Sequence, residues 1–527
     1  MKKIFLILAM TLTLGMVSCE KSEFEKSYAD PSKISQTTVE KQFAGFLNSN
    51  QIFVLPAYTN YFVVLRLTLN RYNQAVGWAN EVNQYTPGAG LITDRWNNFY
   101  GFVAQFRELE KVYAQLNTSD QNDRRIYKIA STIYFYDHAQ RVIDLHGDIP
   151  LLTAGMLSTN GGDYSKSFAK YDAADALYTK MLDDLKGFSD ELNTITVSAG
   201  ILTGFKTQDI INKGSIDLWK KYCNSMRLRM LTRVSDATAF QARAKAEIAE
   251  ILGNTAKYPV VATNTDNIQL NVYDISTSLN SKGFQTGLED WNGNIASKKM
   301  IDHMNANADP RLRAIFEPGI NAKGSYNGLD QMLDASTQTA LIAGGTIAIY
   351  NRSTLSRNQF CPGPLINAAE ISFMAAEFYL KNGNNTAAKA AYEAGIKQST
   401  EYFYKIRSVS NDNTAGALAP TNDAEIAKYI AGNGVNWANA TTDAERLSLI
   451  ATQKWIHYNV YQAYENWAET RRLDLPKLDF QVDNSNQQKL PPYRWVYPSS
   501  EIVYNTDNYN LVKAKDNLTT KLFWDVK

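Results

Sequence analysis

The sequence predicts a mainly α-helical scaffold of tetratricopeptide-like hairpins that carries an irregular, loop-rich side. Three observations predict it. Apolar residues recur at helical spacing over most of the 527 residues. A stretch around residues 375–395 places small and aromatic residues where two tightly crossing helices need them. Between about 258 and 364 the helical period gives way to Gly, Asn, Ser and Pro with short alternating runs.

In chain order, residues 38–47 and 58–70 read as amphipathic helices, as does 96–116, where Phe99, Val103, Phe106, Leu109 and Val112 form the apolar stripe. Between the second and third, Gly77 to Thr93 is rich in Gly, Asn and Pro and reads as a long exposed loop carrying Trp78 and Tyr85. A helix over 122–145 stops at Gly147 and Pro150. The hairpin proper combines Ala375, Ala376 and Tyr379 on one helix with Ala388, Tyr392 and Gly395 on the next, joined by an Asn382-Gly383-Asn384-Asn385 turn. Small side chains let the backbones approach while the tyrosines fill the groove. A less complete version runs from Asp137 to Leu192, with Tyr171, Ala174, Tyr178 and Leu182 at helical spacing. In the irregular region Ile268, Leu270 and Val272 alternate onto one face of a strand-like run. Helical patterning returns at Leu365 and over 443–473, before a tail whose Pro491, Pro492 and Pro498 exclude regular helix.

The N-terminus carries Lys2 and Lys3, an apolar run from Ile4 to Met16, and then Val17, Ser18 and Cys19. A basic start, a short hydrophobic stretch and small residues before a cut make residues 1–18 a secretory signal. Ser18 before a lone Cys resembles a bacterial lipobox, in which Cys19 is acylated and becomes the new N-terminus; an ordinary secretory signal is the alternative. Buried acyl methylenes contribute about 0.8 kcal/mol each, so several chains hold such a body on a membrane. No second apolar segment reaches the ~20 residues of a membrane helix. Glu20, Glu23 and Glu25 in the polar leader over 19–37 resemble the acidic surface-export signal of Bacteroidetes lipoproteins. Residues 38–527 are then expected to form a single helical domain with the irregular insertion around 258–364.

The formal charge is +1, and removing Lys2 and Lys3 with the signal leaves a body near −1, which offers no basic field for nucleic acid. With Cys19 committed to lipid, only Cys223 and Cys361 remain. This excludes a disulfide framework; two buried free thiols are the simpler reading, and one Cys223–Cys361 bridge stays open. His138, His146, His303 and His457 are scattered and form no HExxH pair, so neither a metal nor a cofactor is expected. No nucleophile elbow or Walker loop occurs, and no carboxylate pair stands out for glycoside hydrolysis. The expectation is a protein that is not an enzyme.

Seven segments stand out: Asp144 to Pro150, Leu218 to Arg229, Asp309-Pro310-Arg311-Leu312, Ala369-Glu370 through Ala376-Glu377, Gln453-Lys454-Trp455, Trp467 to Arg472, and Arg494 to Pro498. They fall in order over almost the whole mature chain, and taken together they are similar to the SusD/RagB family. The resemblance implies a lipid-anchored outer-membrane protein facing the extracellular side, which captures glycan or peptide ligands and lids a SusC-like TonB-dependent transporter. A helical-repeat scaffold that binds another envelope protein without a small ligand is the alternative.

Asn224, Arg227 and Arg229 share a helix with Trp219 and Leu228, so the expected work of this set is bridging between helices. Glu370, Glu377, Glu469, Arg471 and Arg472 are expected to be scaffold ion pairs, and Trp219 a core residue. Ligand contact is expected instead from aromatics in loops, where apolar faces stack on sugar C–H faces and nearby amides read hydroxyls. Trp78 and Tyr85 with Asn73, Asn80 and Asn83 meet this test. So does Trp291, flanked by Asp290 and Asn292, with Tyr326 and Asn327 a further possibility.

Overall fold

The computed structural model describes residues 37–484 and 487–527. Cys19 and the residues through 36, where the signal and the leader are expected, lie outside them. Thr38 caps the first helix, α1 (Val39–Ser49), by accepting from the Lys41 amide. It packs on α2 (Ala89–Ala114) and α3 (Arg125–His146) through Phe46, which stacks on Phe102 at 4.5 Å. Next come α4 (Ala174–Thr194), α5 (Ile216–Val234) and α6 (Gln241–Gly253). The hairpin α7 (Ala368–Lys381) and α8 (Asn385–Ser408) follows the irregular region, then come α9 (Asp443–Tyr458) and α10 (Ala463–Leu473), and the tail read as non-helical adds two short helices after Pro498, Ser499–Tyr504 and Thr506–Val512.

The α7–α8 hairpin forms where its small residues predict it. A Cβ on Gly395 would lie 2.5 Å from the Phe373 ring, so only glycine admits this approach. Ala376, Ala388 and Tyr392 are buried, and the Tyr392 hydroxyl donates to the Val435 carbonyl at 2.8 Å. In the second hairpin Ala174, Tyr178 and Leu182 are buried on α4, whereas Tyr171 precedes the helix.

Other boundaries differ from the sequence reading. The 58–70 helix is a π-helical turn, Thr59–Leu65, followed by a short helix, Leu69–Tyr72. The 443–473 helix breaks after α9, where Asn459 takes φ 31°. The third helix begins at Ala89, inside the segment read as loop. The irregular region holds helices Gly283–Glu289, Lys298–Ala306 and Ala335–Ala343 and the strands β1 (Ile268–Leu270), β2 (Phe316–Glu317) and β3 (Ile349–Tyr350). β4 (Gly363–Ile366) pairs antiparallel with β1, and β2 with β3.

Charged side chains fill the centre of the helical part. Lys454 bridges Glu377 at 2.9 Å and Glu469 at 2.8 Å, and Arg472 bridges the same two carboxylates at 2.7 and 2.6 Å. Arg233 reaches Glu465 at 2.6 Å and Glu469 at 3.1 Å. Despite burial, these cations hold the Glu377 and Glu469 carboxyls below the usual range. Arg227 pairs with Glu247, and Asn224 accepts from Ser189. Arg471 differs: it lies 3.5 Å over the Trp467 ring and donates to the Tyr493 and Asp144 carbonyls. Cys223 and Cys361 are free and buried, and burial pushes both thiols up to about 12.

His457 yields a pH prediction. Its Nε2–H donates to Asn367 Oδ1 at 2.7 Å, and its Nδ1, 3.0 Å away, accepts from Ser399 Oγ, which itself accepts from Arg311. Burial first, and Arg311 second, push its pKa down to about 3. The folded pKa is thus below the unfolded one, so the contribution is complete above the ordinary 6.5 and is lost as pH falls from there toward about 3. Urea unfolding is expected to show stability falling below pH 6.5, with His457 contributing up to about 1.4 kcal/mol per pH unit. His457→Gln should flatten that slope; an unchanged slope assigns the dependence to other groups.

Candidate functional site

Two segments far apart in sequence build a surface groove of about 360 Å³. The first runs from Arg66, which ends the π-helical turn, through Trp78 to Glu81; the second is Trp291, Asn292 and Gly293, and Ile342 adds to the lining. Backbone pairing fastens them together, with an antiparallel bridge between Val76 and Ala296 and the Gly77 amide donating to the Ile295 carbonyl at 2.8 Å. A Cβ on Gly77 would meet Leu329 Cβ at 2.8 Å, and one on Gly293 would meet the Leu288 carbonyl at 2.8 Å and Arg66 Cδ at 3.2 Å. These glycines let the two segments close up.

Trp291 dominates the groove. Both it and Asn292 take φ 57°, in the left-handed region that costs a non-glycine residue about 1–2 kcal/mol. The tryptophan side chain is 81% exposed. An indole held in water on a strained backbone points to work outside the core. Across the groove Trp78 is only 6% exposed, its Nε1 donating to Gln84 Oε1 at 2.7 Å, with Arg71 5.7 Å from the ring and paired to Glu81 at 2.6 Å. Arg66 lies 4.3 Å over Phe62, which stacks on half-exposed Tyr58 at 4.8 Å. Arg66 Nε is buried without a hydrogen-bond partner. Burial first, then Arg71, lowers the Arg66 pKa.

The structure therefore brings Trp78, Trp291 and Asn292 to one groove, and the other sequence candidates do not line it. The exposed-loop reading of 77–93 is corrected. Tyr85 is fully buried, its hydroxyl donating to the Gln481 carbonyl at 2.9 Å. Asn73 is fully buried, accepting from the Ala75 amide at its side chain and from Trp455 Nε1 at its carbonyl. Asn80 ties this segment to its neighbours through Gln331, Gln338 and Gln481. Asn83 is exposed at φ 63° in a tight turn. Asn327 is engaged with the Thr346 carbonyl, and Tyr326 packs against the core. Core demand took these residues: a loop threaded between 331–338 and 479–483 must bury its aromatics and satisfy its amides.

Arg66, Arg71 and Glu81 escaped the sequence reading. The spacing of Tyr58, Phe62 and Arg66, one helical turn apart, was the available sign, but it resembled an ordinary amphipathic face.

Chemically, the groove offers an exposed indole, a second indole at its wall, an amide and a guanidinium with a free donor. That set can stack on an apolar ring face and hydrogen-bond its substituents.

Comparison with known proteins agrees with this architecture. The sequence model of the SusD-like family described as "Starch-binding associating with outer membrane" matches residues 36–498. No curated protein matches. Among solved structures, a chitin-binding protein is 21% identical at a TM-score of 0.73, covering 92% of this chain and 100% of its own. A chitin-binding SusD homologue from Flavobacterium johnsoniae is 23% identical at 0.69, covering 93% and 99%. A SusD homologue from Bacteroides fragilis is 18% identical at 0.73, covering 93% and 100%. At these identities the likeness is one of fold, and with the family match across most of its length the chain belongs to the SusD-like family.

Proposed function

We propose that this protein captures glycans in the Trp291 groove at the outer membrane, anchored through lipidated Cys19, and passes them to a SusC-like TonB-dependent transporter. The exposed, left-handed Trp291 beside Asn292 and the unpaired Arg66 Nε carries the reading. The family's description and the chitin-binding proteins among its structural relatives favour a glycan over a peptide.

Calorimetric titration with soluble chitooligosaccharides and maltooligosaccharides tests it. Trp291→Ala is expected to weaken binding by about 1–3 kcal/mol, as for an aromatic hot spot, with the thermal midpoint nearly unchanged. Trp78→Ala should lower both affinity and midpoint, because Trp78 is buried. Wild-type affinity in Trp291→Ala would move the site elsewhere. Binding of peptides but no oligosaccharide would change the ligand class, and binding of neither would favour the scaffold reading.

A further inference from the structure

On the helical-hairpin side, between α5, α6 and α7, lies a second cavity of about 270 Å³ that shares no lining residue with the Trp291 groove. Two buried polar atoms at this cavity have no hydrogen-bond partner: Thr232 Oγ1, on a residue 3% exposed in the last turn of α5, and Asp236 Oδ2, four residues further on. A helical threonine commonly bonds back to the carbonyl four residues earlier, as Thr400 does to Ile396, but Thr232 does not. An unmade hydrogen bond on a buried polar group is costly, and native structures satisfy such atoms with water or ligand.

The surroundings limit what fits. Asp236 Oδ1 is taken by Lys381 Nζ at 2.7 Å, which also pairs with Glu377 at 2.9 Å, and Arg472 stands 3.8 Å from Asp236 Oδ2. The two carboxylates thus already face three cations, Lys381, Arg472 and Lys454, with Lys245 exposed at the rim, so the cavity does not favour a cationic guest. A neutral hydroxyl fits both orphans, donating to the carboxylate and accepting from the threonine. Met374 and half-buried Phe378 supply apolar wall for a ring's C–H face.

We infer that this cavity is a second saccharide site, which takes one hydroxylated ring: a free monosaccharide or the terminal unit of an oligosaccharide. It stands independently of the Trp291 groove. The test uses Trp291→Ala protein, so that the first site is weakened, and titrates D-glucose, D-galactose, D-mannose and N-acetyl-D-glucosamine and their homodisaccharides by saturation-transfer NMR and calorimetry. Saturable millimolar binding of at least one sugar is expected, with Thr232→Val weakening it about tenfold. Thr232→Val removes an orphaned hydroxyl at constant shape, so its thermal midpoint without sugar should be unchanged or raised, which separates lost binding from lost folding. Asp236→Asn and Phe378→Ala should also weaken binding. Tighter binding of a disaccharide than of its monosaccharide identifies a chain end as the guest, and equal binding a free sugar. Absence of saturable binding to any of these sugars, or binding that Thr232→Val leaves unchanged, overturns the inference and leaves the cavity to water.

Discussion

Arg229→Met is expected to destabilise the fold by about 3–5 kcal/mol, the range for breaking a buried ion pair from one side. The guanidinium is fully buried, holds Glu370 through two bonds at 2.5 and 2.9 Å, and reaches Asp137 at 3.2 Å and the Leu365 carbonyl at 2.5 Å. It ties α5 to α3, α7 and β4 at once. Asp137 keeps Arg141 at 3.1 Å and the Tyr222 hydroxyl at 2.6 Å, but Glu370 loses its only ion-pair cation among the described residues. Burial already pushes the Glu370 carboxyl up, with Arg229 as the principal opposing influence, so the variant should leave that carboxyl neutral near physiological pH. Urea unfolding measures the cost. Arg229→Met/Glu370→Leu should recover most of it, because removing both charges also removes the desolvation penalty. A single-variant cost below about 1 kcal/mol would mean that the pair is solvated in solution.

Trp219→Ala is expected to cost about 3–5 kcal/mol, as a large aromatic removed from a close-packed core leaves a cavity. The ring is fully buried, 5.6 Å from Tyr222 and 6.5 Å from Phe205. Its Nε1 also donates to Asp209 Oδ2 at 2.8 Å. That carboxylate, whose pKa burial raises, gathers the amides of Ile211, Asn212 and Gly214 and so shapes the turn that leads into α5. Trp219→Phe keeps most of the packing and removes this bond, so a cost of about 1–3 kcal/mol would isolate the hydrogen bond's share. Thermal melting of both variants beside Trp291→Ala separates core from surface tryptophan: if Trp219→Ala and Trp291→Ala melt alike, the assignment of one to packing and the other to binding fails.

The same residue type thus plays two parts, and sequence alone ranked them unevenly. Trp219 was legible because its helix also carries Leu228 and Leu231, and a helix with such apolar residues must bury them. The α7–α8 hairpin was legible for a similar reason, since Gly395 and Ala376 are small where backbones cross. The ion pairs were legible as a class, since charged residues interleaved with core residues on one helix must find partners, but not as a list. Arg471 turned out to serve carbonyls and the Trp467 ring.

Sequence determined the helical scaffold, its hairpin and the family, because periodicity and small-residue spacing are local properties that the chain carries at every position. Tertiary structure decided the binding surface. Trp78, Tyr85 and Trp291 all sit in Gly- and Asn-rich stretches and look alike in sequence, yet packing against residues 479–483 buried Tyr85, a Gln84 partner drew in Trp78, and two left-handed residues turned Trp291 out. Whether a loop aromatic is buried depends on what segment, hundreds of residues away, comes to lie over it, and no local pattern encodes that contact.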